Sequence, residues 1–294
     1  MTGPERGWLL LCADLGDGRK PMTLPQIRVL RARMQAEPPP ADPARPVNAG
    51  DLRRLGYDWQ TADRIARLLD REGELDAYLS LGAQAGACPL TRISPAYPAR
   101  LEGRLGSEAP AVLFYKGDLS CLEGPAAAVV GSRDLTAAGA AFARQAGELI
   151  ARSGWTLISG NARGADQSAQ AACLAAGGRV ACFVPGDLGP MPLQKNVCWI
   201  SEQGWHLPFA PYRALRRNLF IHAMGELTVA AQTGTAGGTW SGCMENLRRS
   251  LSPLYVHRDG SAGAEDLIAR GAAPVEELTD LDSLRPAQLP LGPL

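Results

Sequence analysis

From about Ala126 the chain alternates short apolar runs, glycine turns and helical stretches, and this alternation limits the fold more than any other feature. AAAVVGS reads as a strand ending in a glycine turn. TAAGAAFARQAGELIARSG reads as a helix ending at Gly154, and WTLIS as a second strand leading into GNARGAD. QSAQAACLAAGG predicts a helix closed by a glycine pair, and RVACFVPG a third strand. ELTVAAQ and PLYVH are further apolar runs suited to buried strands. Strands that alternate with helices are joined by right-handed crossovers. The expected fold is therefore α/β, with a Rossmann-like, mostly parallel sheet and helices on both faces.

A different pattern precedes it. TLPQIRVLRARMQA has helical apolar spacing, with Thr23 as a candidate N-cap and Pro25 early in the helix. EPPPADPARP (37–46) breaks any helix and reads as a linker or long turn. DLRRLGYDWQTADRIARLLDREGELDAYLSLGA then predicts two or three short helices, with Asp51 and Thr61 as candidate caps and Ile65, Leu68 and Leu69 as an apolar stripe. A small helical bundle is expected; no GxG hairpin supports a DNA-gripping helix pair. The predicted division is a helical N-terminal domain over 1–90, a Rossmann-like domain over 91–275 and a tail over 276–294. No winged-helix domain is expected after position 275.

Composition limits the partners. At 294 residues and 46% hydrophobic, the chain can bury one large core or two ordinary ones. Zero net charge argues against a globally basic nucleic-acid binder but leaves room for a local basic groove, and residues 91–257 carry 15 basic against 11 acidic residues. All but Lys20, Lys116 and Lys195 of the 30 basic residues are arginine, which suits planar, bidentate phosphate contacts. A genome rich in G and C explains the same bias. Seven cysteines without a CxxC pair and three histidines argue against a zinc site or disulfide framework, so no metal is expected. WLLLCA is too short for a membrane span and lacks a signal-peptide cleavage pattern. A soluble, cytoplasmic protein with no membrane partner is expected.

In a doubly wound sheet, ligands sit beyond the carboxyl ends of the strands. Three glycine-bearing segments fall there: GSR (131–133), SGNARGAD (159–166) and QTGTAGGT (232–239). Each offers backbone N–H groups and hydroxyls, two carry an arginine, and a following helix N-terminus favours anions. No GxGxxG fingerprint follows the first strand and no GxxxxGK[ST] loop exists. Asp166, just ahead of a helix, suits an N-cap or an arginine partner better than catalysis. His206, His222 and His257 have no GxSxG elbow to serve, and Cys173 and Cys182 read as small core residues. Glu245 reads as a solvated carboxylate. No catalytic residue and no cofactor is assigned, and the expectation is a binding protein rather than an enzyme.

Taken in order, the segments resemble the DNA-processing protein A (DprA/Smf) family. ISPAYPARL (93–101) and APAVLFYKGDL (109–119) are similar to its lead-in, AVVGSRDLTAAG (128–139) to its Val-Gly-Ser-Arg motif, and LISGNARGADQSAQAACLAAGG (157–178) to its Ser-Gly-x-Ala-x-Gly-x-Asp helix start. WISE (199–202), RRNLFIHAMG (216–225) and DLIARGAAPV (266–275) resemble a Ser-Glu turn, an Arg-Asn-Arg segment and a closing Leu-Ile-x-x-Gly-Ala. The resemblance implies single-stranded DNA binding without a cofactor, action as a homodimer, and transfer of the strand to the RecA recombinase, chiefly in natural transformation. The DNA- or phosphate-binding set it implies is Gly131, Ser132, Arg133, Thr136, Gly160, Arg163, Gly164, Asp166, Lys195, Arg217, Asn218, Gly234 and Thr235. The chain departs from the pattern at Ala169-Gln170, at Leu219, in a compressed segment between Pro185 and Ser201, and in the loop TGTAGGTW (233–240). That loop suits a compact nucleotide as well as a strand, so a nucleotide-sensing or nucleotide-processing domain of the same fold is the alternative.

Overall fold

The computed structural model describes residues 1–38, 47–281 and 284. Most of the expected 37–46 linker and, from 282 onward, all of the expected tail but residue 284 lie outside the described residues.

Among the described residues, five helices come first: α1 (Gly3–Cys12), α2 (Leu24–Ala36), α3 (Ala49–Arg54), α4 (Trp59–Leu69) and α5 (Glu72–Gln84). Thr23 stands at the expected N-cap position of α2, and its amide donates to Gln26 Oε1 at 3.0 Å. The other two caps differ from expectation. Asn48, not Asp51, caps α3: its Oδ1 accepts from the Asp51 amide, while Asp51 returns a carboxylate to the Asn48 amide. Asp58 caps α4 by accepting from the Thr61 amide at 2.9 Å. In both, the cap lies three residues upstream of the residue expected, because an N-cap oxygen reaches forward to the third helical amide. Ile65 and Leu68 are buried and Leu69 is half-buried.

The helical region ends at α5, and the sheet begins with β1 (Ala87–Thr91). There follow α6 (Ala99–Leu105), β2 (Val112–Gly117), β3 (Ala126–Val130), α7 (Ala137–Arg152), β4 (Thr156–Ser159), α8 (Ala165–Ala175), β5 (Arg179–Phe183) and β6 (Val197–Glu202). Then come α9 (Pro211–Met224), β7 (Leu227–Ala230), α10 (Gly238–Arg249), β8 (Leu254–His257), α11 (Ala262–Ala269) and β9 (Ala273–Val275). The strand order is β1-β2-β6-β5-β4-β3-β7-β8-β9. Strands β3 to β9 pair in parallel, while β2 lies antiparallel to both β1 and β6. WISE, which resembles a turn, is instead the end of a strand in which all six residues are buried.

Both faces of the sheet are covered, so its strands alternate between two cores rather than between core and water. On β3, Ala127 and Val129 join one core with α7, α8 and the N-terminal helices. Ala126, Ala128 and Val130 join the other with α6, α9, α10 and α11. The N-terminal helices thus share a core with the sheet, and the Tyr78 and Phe114 rings meet edge-on at 5.7 Å. Gly147 lets α7 press against the α8 backbone at Ala169, where a methyl group would collide with the carbonyl.

One buried charge organises the helical region. Arg71 is fully buried, and its guanidinium donates to the carbonyls of Leu10 (2.6 Å) and Ala13 (2.8 Å) at the end of α1 and to Asp17 Oδ2 (3.2 Å). It satisfies carbonyls that the end of a helix otherwise leaves orphaned. Removing one partner of such a buried set leaves the rest desolvated, so Arg71→Ala should cost about 3–5 kcal/mol. Urea unfolding checks this: the midpoint should fall with an unchanged slope, and a loss below about 1 kcal/mol would contradict the assigned role.

Candidate nucleic-acid interface

The chain builds β3, β4, β5 and β6 outward to one side, then returns to lay β7 against the other side of β3. The helix after β3, α7, packs on one face of the sheet, and α10, after β7, packs on the other. At such a reversal the connecting loops diverge and leave a crevice at the strand ends. The GSR, SGNARGAD and QTGTAGGT segments follow β3, β4 and β7, so the fold brings them to the same crevice.

Close backbone contacts lock the three loops together. The Ser132 amide donates to the Gln232 carbonyl at 2.9 Å, and the Ala165 amide to the Ser132 carbonyl at 3.1 Å. Gln232 Oε1 accepts from the Thr136 amide (2.9 Å) and hydroxyl (3.1 Å), and Thr239 Oγ1 donates to the Gly131 carbonyl at 2.8 Å. Thr136 also caps α7 by accepting from the Gly139 amide at 3.1 Å. Gly164 has φ +87° and lies on the Ser132 and Arg133 carbonyls, so both its backbone angle and the available space require glycine.

The resulting cleft encloses about 520 Å³. The β3 loop supplies Gly131, Ser132 and Arg133, the β4 loop Ala162 and Asp166, and the β7 loop Thr233, Gly234, Gly238 and Thr239. Much of the remaining wall is Phe209, two residues before α9, together with Leu215, Arg217, Asn218 and His222 of α9. Phe209 and Leu215 are exposed, at 61% and 56%, and form an apolar lip.

Three charged groups line this space and behave differently. Arg217 is buried and donates through Nη1 to the Gly160 and Phe183 carbonyls. Asp166 accepts from the Ala162 amide at 3.1 Å; burial pushes its carboxyl up to about 6 against the opposing pull of the Arg217 charge. Burial likewise lowers Arg217, and Asp166 partly offsets that. Arg133 is exposed at the mouth and has no hydrogen-bond or ion-pair partner among the described residues.

Of the expected set, Gly131, Ser132, Arg133, Asp166, Arg217, Asn218 and Gly234 line the cleft. Thr136, Gly160 and Gly164 build its frame, and Thr235 is exposed within the third loop. Arg163 is paired with Asp134 at 2.6 Å between two exposed side chains, a contact that water and salt weaken. Lys195 departs from expectation. It lies two residues before β6, at the amino end of the parallel strands, where the neighbouring Asn196 bonds Gly177 at the foot of β5. The segment from Val184 to Asn196 carries the chain from the carboxyl end of β5 back to the amino end of β6, and Lys195 is left at the far end of the sheet from the cleft.

Sequence reasoning missed Gln232, whose side chain ties two loops, and the cleft position of His222. His206 instead bonds the Tyr78 hydroxyl and His257 stacks on Phe142 at 4.1 Å. Cys173 and Cys182 are fully buried in the core, and Glu245 pairs with Arg248.

Fold and cleft together define a doubly wound α/β protein with a glycine-framed cleft at its switch point. The sequence profile of the DNA recombination-mediator protein A family matches residues 89–284, and the chain belongs to that family. It is 26% identical to the DNA processing protein DprA of Bacillus subtilis over 264 residues, covering 82% of this chain and 86% of that protein. It is 31% identical to protein Smf of Escherichia coli over 184 residues, covering 57% of this chain and about half (49%) of that protein. Among solved structures, DprA from Streptococcus pneumoniae superposes with a TM-score of 0.72 at 20% identity, covering 94% of this chain and 95% of that one. Helicobacter pylori DprA, whose structure concerns single-stranded DNA binding, gives a TM-score of 0.56 at 21% identity over 65% of this chain and 91% of that one. At these identities the structural matches establish the fold alone.

The Asp166 environment has a measurable consequence. A carboxyl whose folded pKa is raised holds its proton more tightly in the folded state, so folding stability from this group is full below about 4 and falls as pH rises toward about 6. Urea unfolding of Asp166→Asn across that window should show a flatter pH dependence than the wild type. Parallel curves would contradict the assigned environment.

Proposed function

We propose that the cleft grips the phosphate backbone of single-stranded DNA and that the chain serves DNA recombination or uptake. The observation that carries this is Arg133, an exposed, unpartnered cation at the mouth of a glycine-framed cleft at the switch point. Arg217 and Asp166 offset each other within, so Arg133 supplies the free charge facing a ligand. A guanidinium beside hydroxyls and backbone amides suits phosphate oxygens. Membership of a recombination-mediator family, and a relative whose solved structure concerns single-stranded DNA binding, support the same ligand. Strand transfer to RecA, action as a homodimer, a cytoplasmic location and the absence of catalysis and of a cofactor belong to this reading. RecA transfer, the homodimer and the lack of a cofactor rest on the family resemblance; the location and the lack of catalysis rest on the sequence pattern.

A mononucleotide is the second reading, favoured by the enclosed volume of about 520 Å³ and by the TGTAGG loop along one wall. Thermal shift with mononucleotides and dinucleotides tests it: stabilisation by a free nucleotide supports it.

Fluorescence anisotropy with oligothymidylate at several salt concentrations tests the first reading. Removing one phosphate-binding cation should reduce the log–log salt slope by about 0.7 for a single strand. Arg133→Ala should therefore bind more weakly with a slope about 0.7 shallower. Binding that ignores salt, or an Arg133→Ala protein indistinguishable from the wild type, would overturn it.

A further inference from the structure

Residues 203–210 connect β6 to α9, and the connection ends at the cleft, where Phe209 forms part of the lip. Two of its anchors come from the sheet side of the molecule. The Gln203 amide donates to the Val112 carbonyl at 3.0 Å, and the Leu188 amide to the Trp205 carbonyl at 2.7 Å. More come from the N-terminal helical region. The Asp14 amide, just past α1, donates to the Gln203 carbonyl at 3.0 Å. The Trp205 amide donates to the Tyr78 hydroxyl on α5 at 2.9 Å, and its indole Nε1 to the Tyr78 carbonyl at 3.3 Å. The same hydroxyl hydrogen-bonds His206 Nδ1 at 3.1 Å.

Tyr78 is 6% exposed, and its ring meets those of Phe114 and Trp205 at 5.7 Å and that of His206 at 5.1 Å. Burial pushes the phenol pKa up, so the hydroxyl stays protonated and uncharged. Ring and hydroxyl therefore do different work. The ring fills the core beneath α5, and the hydroxyl takes up polar groups of the connection. Gly82, one turn further along α5, makes room for the indole: a Cβ there would stand 3.0 Å from Trp205 Nε1. Only Leu207 and Pro208 separate His206 from Phe209, and Leu207 is buried. Three residue steps reach at most about 11 Å, so a fixed His206 keeps Phe209 on a short leash. Pro208 and Pro211 restrict it further by locking φ. Beyond them Arg213 ties the first turn of α9 to the Pro185 and Glu202 carbonyls.

We propose that Tyr78 is a positioning residue for the cleft: its hydroxyl, acting through Trp205 and His206, fixes where Phe209 and the start of α9 stand, and so links the N-terminal helical region to strand affinity. The inference rests on the single-strand reading of the cleft. Without the hydroxyl, the Trp205 amide and His206 turn to water, and the connection samples arrangements in which the lip is out of place. Apparent affinity then falls with the fraction of molecules that keep the lip in place.

Fluorescence anisotropy with oligothymidylate tests this by comparing the wild type with Tyr78→Phe, which keeps the ring. One net hydrogen bond lost from the connection corresponds to about a fivefold loss of affinity. Tyr78→Phe should show a loss of that size or more at every salt concentration, with an unchanged log–log salt slope, because no phosphate contact is removed. Tyr57→Phe is the control: it removes a hydroxyl of the same helical region that has no hydrogen-bond partner among the described residues, and it should bind as the wild type does. Wild-type affinity in Tyr78→Phe, a slope as shallow as that expected of Arg133→Ala, or an equal loss in Tyr57→Phe would overturn the inference and leave phosphate binding standing. A wild type that binds no oligothymidylate overturns the single-strand reading and the inference with it. Hydrogen exchange of the unsubstituted protein gives a readout independent of the variants' folding. Coupling between two sites is reciprocal, so saturating oligothymidylate should slow exchange of the Trp205 amide about fivefold or more. An unchanged Trp205 rate with the strand bound would overturn the inference.

Discussion

The cleft depends on the junction between Ser132 and Gln232. Its backbone hydrogen bond joins the loops after β3 and β7, the two strands at which the sheet reverses direction. Without it, the parallel strands would end in separate loops whose helices lie on opposite faces. With it, Gln232 also holds Thr136 and the start of α7, and Ser132 passes the connection on to Ala165 and α8. Ordering the glycine-rich segments costs conformational entropy, and the mutual hydrogen bonds offset part of that cost. The loops are thus arranged before any ligand binds, which would limit the ordering needed at binding.

The electrostatics are local rather than global. The chain has no net charge, and most of the arginines around the cleft are already engaged. Arg213 bonds the Pro185 and Glu202 carbonyls, Arg216 pairs with Glu202, and Arg249 pairs with Glu108. Arg217 frames the cleft from inside through the Gly160 carbonyl, and Arg133 is exposed at its mouth. A count of arginines therefore overstates the positive surface, because guanidinium groups serve this fold as carbonyl caps. Arg71 does the same work at the end of α1.

Much of the fold was legible because it rests on local chemistry. The strand–glycine–helix alternation, the glycine loops and the buried Cys173 and Cys182 all follow from periodicity and backbone freedom. The misassignments share one cause: each needed knowledge of where the chain goes next. WISE resembles the family's Ser-Glu turn, yet it ends β6, which an irregular crossover joins to β5. The family resemblance places Lys195 with the ligand, but it stands at the amino end of β6, away from the cleft. Arg217 and Arg133 looked alike in sequence, and only burial separates a framing arginine from a free one.

By itself, the sequence determined the class of fold, the three glycine loops and their position after strands, with glycine at points of close approach such as Gly131, Gly160 and Gly164. It also carried the ordered motifs that mark the family. The tertiary structure decided which loops converge, which charge remains free and which histidine enters the cleft. Those outcomes depend on strand order and on hydrogen bonds between residues such as Thr136 and Gln232, far apart in sequence. The cluster of Tyr78, Trp205 and His206 is of the same kind: its members come from α5 and from the connection after β6, and no local pattern joins them.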